Sequence, residues 1–66
     1  MKNKLKVQRA IHNLTQAELA DRIGVSRQSI NAIETNKYVP STVLALKLAK
    51  LFQSTVEDLF ELEPGD

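Results

Sequence analysis

Residues 14–37, LTQAELADRIGVSRQSINAIETNK, set one glycine between two short amphipathic stretches and open the second on Ser-Arg-Gln-Ser. The punctuation fixes where helices begin. Thr15, followed three residues later by Glu18, fits a capping box: the threonine oxygen accepts from a first-turn backbone N–H while the glutamate reaches back to the cap. Leu14 before the cap and Leu19 at the fourth helical position form a hydrophobic staple. The same logic repeats at Ser26, with Val25 and Ile30 as the staple pair. Gly24 takes a positive φ at little cost, so one helix can stop and the next start within three residues.

Counted from Gln16, the apolar side chains Leu19, Ala20 and Ile23 fall on one face of the first helix, and Ile30 and Ile33 on one face of the second. Ala20 is small where two helices must approach. These are the demands of a helix-turn-helix over residues 16–35, two helices crossing at about 90–120° across a short turn. Pro40-Ser41 starts another helix, because proline restricts Val39 and Ser41 can cap. Thr55 with Asp58 starts a last one. The reading is all-α, with five helices at roughly 4–12, 16–23, 27–35, 42–52 and 56–60. The fourth carries Val43, Leu44, Leu46, Leu48, Leu51 and Phe52, wider than a single core-facing stripe, so it is either central or shared with a partner subunit. Phe60-Glu61-Leu62-Glu63 alternates with period two, which allows a short strand before Pro64-Gly65 ends regular structure.

Composition bounds the chemistry. At 66 residues the chain makes one domain, 1–66, with a small core that self-association would help. No cysteine is present, which removes thiolate catalysis and cysteine-based metal sites. His12, the single histidine, has no partner ligands in the sequence. Ser26, Ser29 and Ser41 have no base arranged by motif, and there is no glycine-rich phosphate loop. No enzyme activity, metal or cofactor is inferred, nor a small-molecule ligand, since so small a core leaves little room for a pocket. The longest apolar run, Val43–Leu46, is far short of the ~20 residues of a membrane span, and MKNKLKV is followed by no apolar segment that would make it a signal peptide. A cytoplasmic protein is expected. Net charge is only +1. Its distribution is uneven: nine Lys/Arg and three carboxylates before residue 51, five carboxylates and no base after it, which would let one end meet an anion.

With Ile30 and Ile33 inward, Arg27, Gln28, Asn31 and Ala32 face outward near the start of the second helix of the motif. That set suits the major groove. Arginine forks onto guanine O6 and N7, glutamine or asparagine onto adenine N6 and N7, and alanine meets a thymine methyl. Ser26 and the free N–H groups at both helix starts, the Thr15 start included, can bind phosphate oxygens.

These residues resemble the helix-turn-helix of the phage-repressor and Cro type, also called the xenobiotic-response-element family. NKYVPSTVLALKLAKLFQSTVEDLF extends the likeness over residues 5–60. The resemblance implies a five-helix, lambda-repressor-like DNA-binding domain that docks as a dimer with its third helix in the major groove. It implies that Gln16 contacts a phosphate and braces a base-reading side chain. Arg27, Gln28 and Ala32 fall on the main base-reading positions, with Asn31 beside them. Asn36, Lys37 and Tyr38 match a phosphate-contacting segment, and Ser41 adds a backbone N–H to phosphate. Gln8 and Ile11 depart from the family pattern of the first helix. In short members of the family the two termini form a two-stranded antiparallel sheet, which MKNKL and LFELE could do here.

Glu34 ends the recognition helix, where a carboxylate opposes the helix dipole. The resemblance supplies its partner, Arg9, in a partly buried bridge. A dimer face is expected around Leu51, Phe52, Val56 and Phe60, some of which must also serve the core. The function expected is a transcriptional regulator, acting as a repressor on a palindromic operator through a homodimer. A protein-interaction module, such as the antitoxin of a toxin–antitoxin pair, remains as the alternative.

Overall fold

Four of the five helices start on the caps written into the sequence. In the computed structural model, which describes all 66 residues, a strand β1 (Lys2–Asn3) precedes helices α1 (Leu5–Ile11), α2 (Gln16–Ile23), α3 (Arg27–Glu34), α4 (Thr42–Leu51) and α5 (Val56–Leu59), and a strand β2 (Phe60–Glu61) follows. The Thr15 capping box is complete in both directions. Ser26, Ser41 and Thr55 each accept from the backbone N–H three residues on, at 3.1, 3.2 and 3.1 Å. The expected spans are each right to within a residue at either end; Lys4, His12, Thr35, Phe52 and Phe60 sit at cap positions rather than inside the helices.

The helix stops are less visible in the sequence. Gly24 takes φ 84° and closes α2, with Val25 N–H donating to the Ala20 carbonyl at 3.0 Å. The same left-handed stop recurs at Asn13 (φ 54°), Asn36 (φ 61°) and Gln53 (φ 54°), after α1, α3 and α4. At each, the N–H of the following residue reaches back to a carbonyl of the last turn: Leu14 to Arg9, Lys37 to Ala32 and Ser54 to Ala49, at 2.8–2.9 Å. These bonds satisfy carbonyls that a helix end leaves open.

α1 has no side-chain cap of its own. Its first turn is held by Asn3, whose Oδ1 accepts from Leu5 N–H at 3.1 Å. The expected sheet forms: β1 and β2 pair antiparallel, Lys2 opposite Glu61 and Asn3 opposite Phe60. The N-terminal ammonium bridges Glu63 and Asp66 at 3.0 and 3.1 Å. The sheet therefore brings Lys2 and Lys4 beside Glu57, Asp58 and Glu61. The division into a basic first part and an acidic tail is a division of the sequence, not of the surface.

The core draws on every helix: Leu5, Leu19, Ile30, Ile33, Leu48 and Leu59 are the large side chains with essentially no exposure. Phe52 and Phe60 belong to this core too, at 4% and 7% exposure, which corrects the expected dimer face; a ring sealed inside its own chain presents almost nothing to a second one. Leu51 and Val56 are half-buried at the core's margin. α4 is two-sided. Leu44, Ala45, Leu48 and Ala49 face inward, whereas Val43 and Leu46 are 63% and 56% exposed. His12 stacks at a tilt on Phe52, 5.1 Å between ring centres, and its Nδ1 lies 2.9 Å from the Gln8 carbonyl oxygen. The histidine lies at the surface, its ring set against Phe52.

One ion pair ties α1 to the end of α3. Arg9 Nε and Nη2 donate to Glu34 Oε2 and Oε1 at 2.8 and 3.1 Å, and Nη1 donates to the Leu14 carbonyl at 3.0 Å. The Glu34 side chain is only 5% exposed. Burial pushes its carboxyl upward, but hydrogen bonds from Arg9 and Gln16, with the charges of Arg9 and Lys6, outweigh burial and hold it below its ordinary range. The Glu34 hydrogen bond, working against burial, raises Arg9 in turn.

Replacing Arg9 by Met leaves a buried carboxylate without its partner and should cost ~3–5 kcal/mol of stability in urea unfolding at pH 7; a loss under about 1 kcal/mol would place the pair in the class of exposed bridges. The pH dependence follows from the same group. A carboxyl whose folded value lies below its unfolded one contributes its full stability above the ordinary value of 4.5 and loses it as pH falls through the folded value. Urea midpoints of the wild type should therefore drop between pH 5 and pH 3, and Glu34→Gln should flatten that drop. Part of it should survive in the variant, because hydrogen bonds also hold Glu18 and Asp66 below their usual range.

Candidate nucleic-acid interface

The turn between α2 and α3 decides which side chains reach outward. Ile30 and Ile33 bind α3 to the core, and the period of the helix then turns Arg27, Gln28 and Asn31 to solvent, with Ala32 half-buried beside them. Seven side chains expected to read or position nucleic acid, those of Gln16, Arg27, Gln28, Asn31, Ala32, Asn36 and Lys37, lie on α3, at the start of α2 or in the loop that follows α3.

Gln16 is the centre of this group. Its Oε1 accepts from Arg27 Nη1 at 3.3 Å, and its Nε2 donates to Asn31 Oδ1 at 3.2 Å and to Glu34 Oε1 at 3.1 Å. One amide at the first position of α2 thus touches two outward residues of α3 and the carboxylate at its end. Arg27 keeps donors free beyond the one given to Gln16, since a guanidinium carries five N–H bonds. Arg27 makes no ion pair, and neither does Lys37.

The two caps at this surface are already occupied. Thr15 Oγ1 accepts from Glu18 N–H, and Thr15 N–H donates to Glu18 Oε1, both at 3.0 Å. Ser26 Oγ accepts from Ser29 N–H at 3.1 Å and lies 3.0 Å from Ser29 Oγ. What these helix starts offer an anion is therefore the N–H groups of their first turns, aligned with the positive end of the helix dipole, rather than the hydroxyls. Thr15, Gln16 and Arg27 border one open hollow at the start of α2.

The loop after α3 completes the surface. Asn36 is held left-handed, a conformation asparagine tolerates better than most residues, and its Oδ1 accepts from Asn3 Nδ2 at 3.2 Å. Lys37 and Tyr38 are exposed. Ser41 caps α4 a few residues further on. Asn3 was not marked by the sequence. Its Nδ2 also donates to the Ile33 carbonyl at 2.9 Å, so a residue of β1 braces the end of the recognition helix. The one advance signal was the N-terminal strand expectation, which did not extend to the asparagine side chain.

No helix of the chain is long and apolar enough to cross a membrane. A family model described as helix-turn-helix matches residues 5–59. The chain is 60% identical over 66 residues, the whole of both chains, to an uncharacterised HTH-type transcriptional regulator of Methanocaldococcus jannaschii. It is 49% identical over 63 residues, 96% of each chain, to one of Bacillus subtilis. A third, from Archaeoglobus fulgidus, is 47% identical over 60 residues, covering 91% of this chain and 84% of that one. With an exposed recognition helix, a left-handed glycine turn and a complete capping box at the expected places, the chain belongs to the helix-turn-helix family of DNA-binding transcriptional regulators of the Cro and phage-repressor type.

Proposed function

We propose that this regulator is a cytoplasmic repressor which binds a two-fold symmetric operator as a homodimer, the whole chain acting as one DNA-binding unit. The observation that carries the reading is the Gln16–Arg27–Asn31 group, polar side chains pre-oriented on an exposed helix beside two sets of open N–H donors. Arg27, Gln28 and Asn31 read base edges in the major groove, and Ala32 meets a thymine methyl. The first-turn N–H groups after Thr15, Ser26 and Ser41, with Asn36, Lys37 and Tyr38, hold the phosphates on either side and fix the register of α3. Occupancy alone then represses, by covering a promoter.

Support for a second copy comes from α4. Val43 and Leu46 are one turn apart and largely exposed, and Leu46 lines a groove with Met1, Val39 and Val56. An exposed apolar surface on the helix that follows the α3 loop is what a two-fold partner would cover, placing two α3 helices one DNA turn apart, about 34 Å. A chain with 15 buried residues also gains stability from such a partner.

Selection of duplexes from a random pool should return a two-fold symmetric motif. Arg27→Ala should relax base preference at one position per half-site and cost ~1–3 kcal/mol on the best operator. Lys37→Ala should weaken binding on every sequence alike and flatten its salt dependence. Identical behaviour of the two variants on scrambled DNA would refute the division of roles, and a folded protein that enriches no motif would turn the reading toward a protein-interaction module. For the dimer, sedimentation equilibrium should give the mass of two 7.4 kDa chains. Leu46→Glu, changed at an exposed site, should remain helical yet sediment as one chain. It should bind the operator roughly tenfold more weakly, because a charge would stand in a desolvated apolar interface.

A further inference from the structure

Glu34 serves two masters. Its Oε2 is taken by Arg9 Nε, while Oε1 accepts both from Arg9 Nη2 and from Gln16 Nε2, each at 3.1 Å. Packing α1 against α3 does not by itself require a carboxylate: a pair of apolar side chains of similar volume is commonly as stable as a buried ion pair or more so. A carboxylate also stands against the dipole at the end of α3. What an ionised carboxylate does that an apolar group cannot is to accept without ever donating. That property settles which way the Gln16 amide points. Its NH₂ must turn to Glu34, and its oxygen is then left facing Arg27, whose Nη1 donates to it at 3.3 Å. With the amide reversed, two donors would face each other and the guanidinium would be released from its place.

We infer that Glu34 is a positioning residue for base recognition: by fixing the orientation of the Gln16 amide it holds the Arg27 guanidinium where it meets its base. The inference rests on the proposed reading of DNA by Arg27. Asn31 is drawn into the same arrangement, because the second Gln16 N–H engages its Oδ1 at 3.2 Å and leaves the Asn31 NH₂ to point outward. The bridge inside the protein and the preference at its surface are thus one hydrogen-bonded chain, Arg9–Glu34–Gln16–Arg27, running from α1 to the exposed start of α3.

Two variants test it. In Glu34→Gln the side chain is isosteric, but one of its two acceptor positions becomes an NH₂, so the residue no longer accepts only and no longer dictates which way the Gln16 amide points. In Arg9→Met/Glu34→Leu the ion pair is replaced by apolar bulk, so the chain stays folded without the carboxylate. Thr55→Ala, which removes the cap of α5 far from α3, serves as a control for loss of stability alone. Motif selection is run on all four proteins at a temperature where circular dichroism shows each fully folded. Both Glu34 variants should lose roughly tenfold of the preference at the base pair that Arg27→Ala relaxes, and the double variant, unchanged in net charge, should keep its affinity for scrambled DNA. The control should keep that preference. If the double variant folds and its motif matches the wild type at that base pair, Glu34 is only a packing residue and the inference falls while the regulator reading stands. If the wild type itself enriches no motif, the reading beneath it fails and the inference fails with it.

Discussion

The Arg9–Glu34 pair is the ion pair that ties α1, the entry to α2 and the end of α3 together. Its three hydrogen bonds span α1, the Leu14 carbonyl at the entry to α2, and the last residue of α3. A core cluster of 13 buried residues can hold these helices together by area, but aliphatic contacts are non-directional and tolerate small rotations. A bidentate arginine–carboxylate contact does not, because both N–H···O lines must be kept at once. Burying the charges is expensive, so the pair contributes little net stability against an apolar substitute, and a great deal against a half-broken one. Its contribution is direction: it fixes the Glu34 carboxylate in the place where Oε1 also meets the Gln16 amide.

Helix starts were legible because a start is a chemical event with a narrow choice of residues. Thr15, Ser26, Ser41 and Thr55 each put a hydroxyl oxygen where a first-turn N–H needs an acceptor. Stops were legible only at Gly24. Asn13, Asn36 and Gln53 adopt the same left-handed geometry, and they do so because the next residue must turn back to bond the last turn and lead the chain into the following element. Tertiary closure offsets there a conformation that a glutamine does not prefer. The termini were half legible. Alternation in Phe60–Glu63 carried the strand, but no local pattern shows that Asn3, besides its near bond to Leu5, would reach the Ile33 carbonyl 30 residues away.

The same contrast holds for the candidate site. Which residues face outward on α3 follows from helical period once Ile30 and Ile33 are assigned to the core. The hydrogen bonds among them do not, since Gln16 meets Arg27, Asn31 and Glu34 across separations of 11, 15 and 18 residues. The misjudged part was the apolar surface. Phe52 and Phe60 were expected at a dimer face with Leu51 and Val56, on the apolar width of the fourth and fifth helices, with some of the four also serving the core; a small core needs its large rings first. The apolar side chains left outside on α4 are Val43 and Leu46, with Val7 and Ile11 on α1, Val39 before α4 and Leu62 after β2; a helical count marks the helical ones as surplus without saying what becomes of them.

That surplus bears on how the proposed regulator would set its operator. α4 begins at Ser41, whose cap lies at the phosphate-facing loop, and within two residues it presents Val43 to solvent. The loop of Asn36 to Tyr38 runs directly into it. A partner seated on Val43 and Leu46 would therefore be rigidly connected to the phosphate contacts of its own half-site, with no flexible linker between the two. In such an arrangement the spacing of the half-sites is a property of one short helix, and binding loses affinity steeply for each base pair added or removed at the centre.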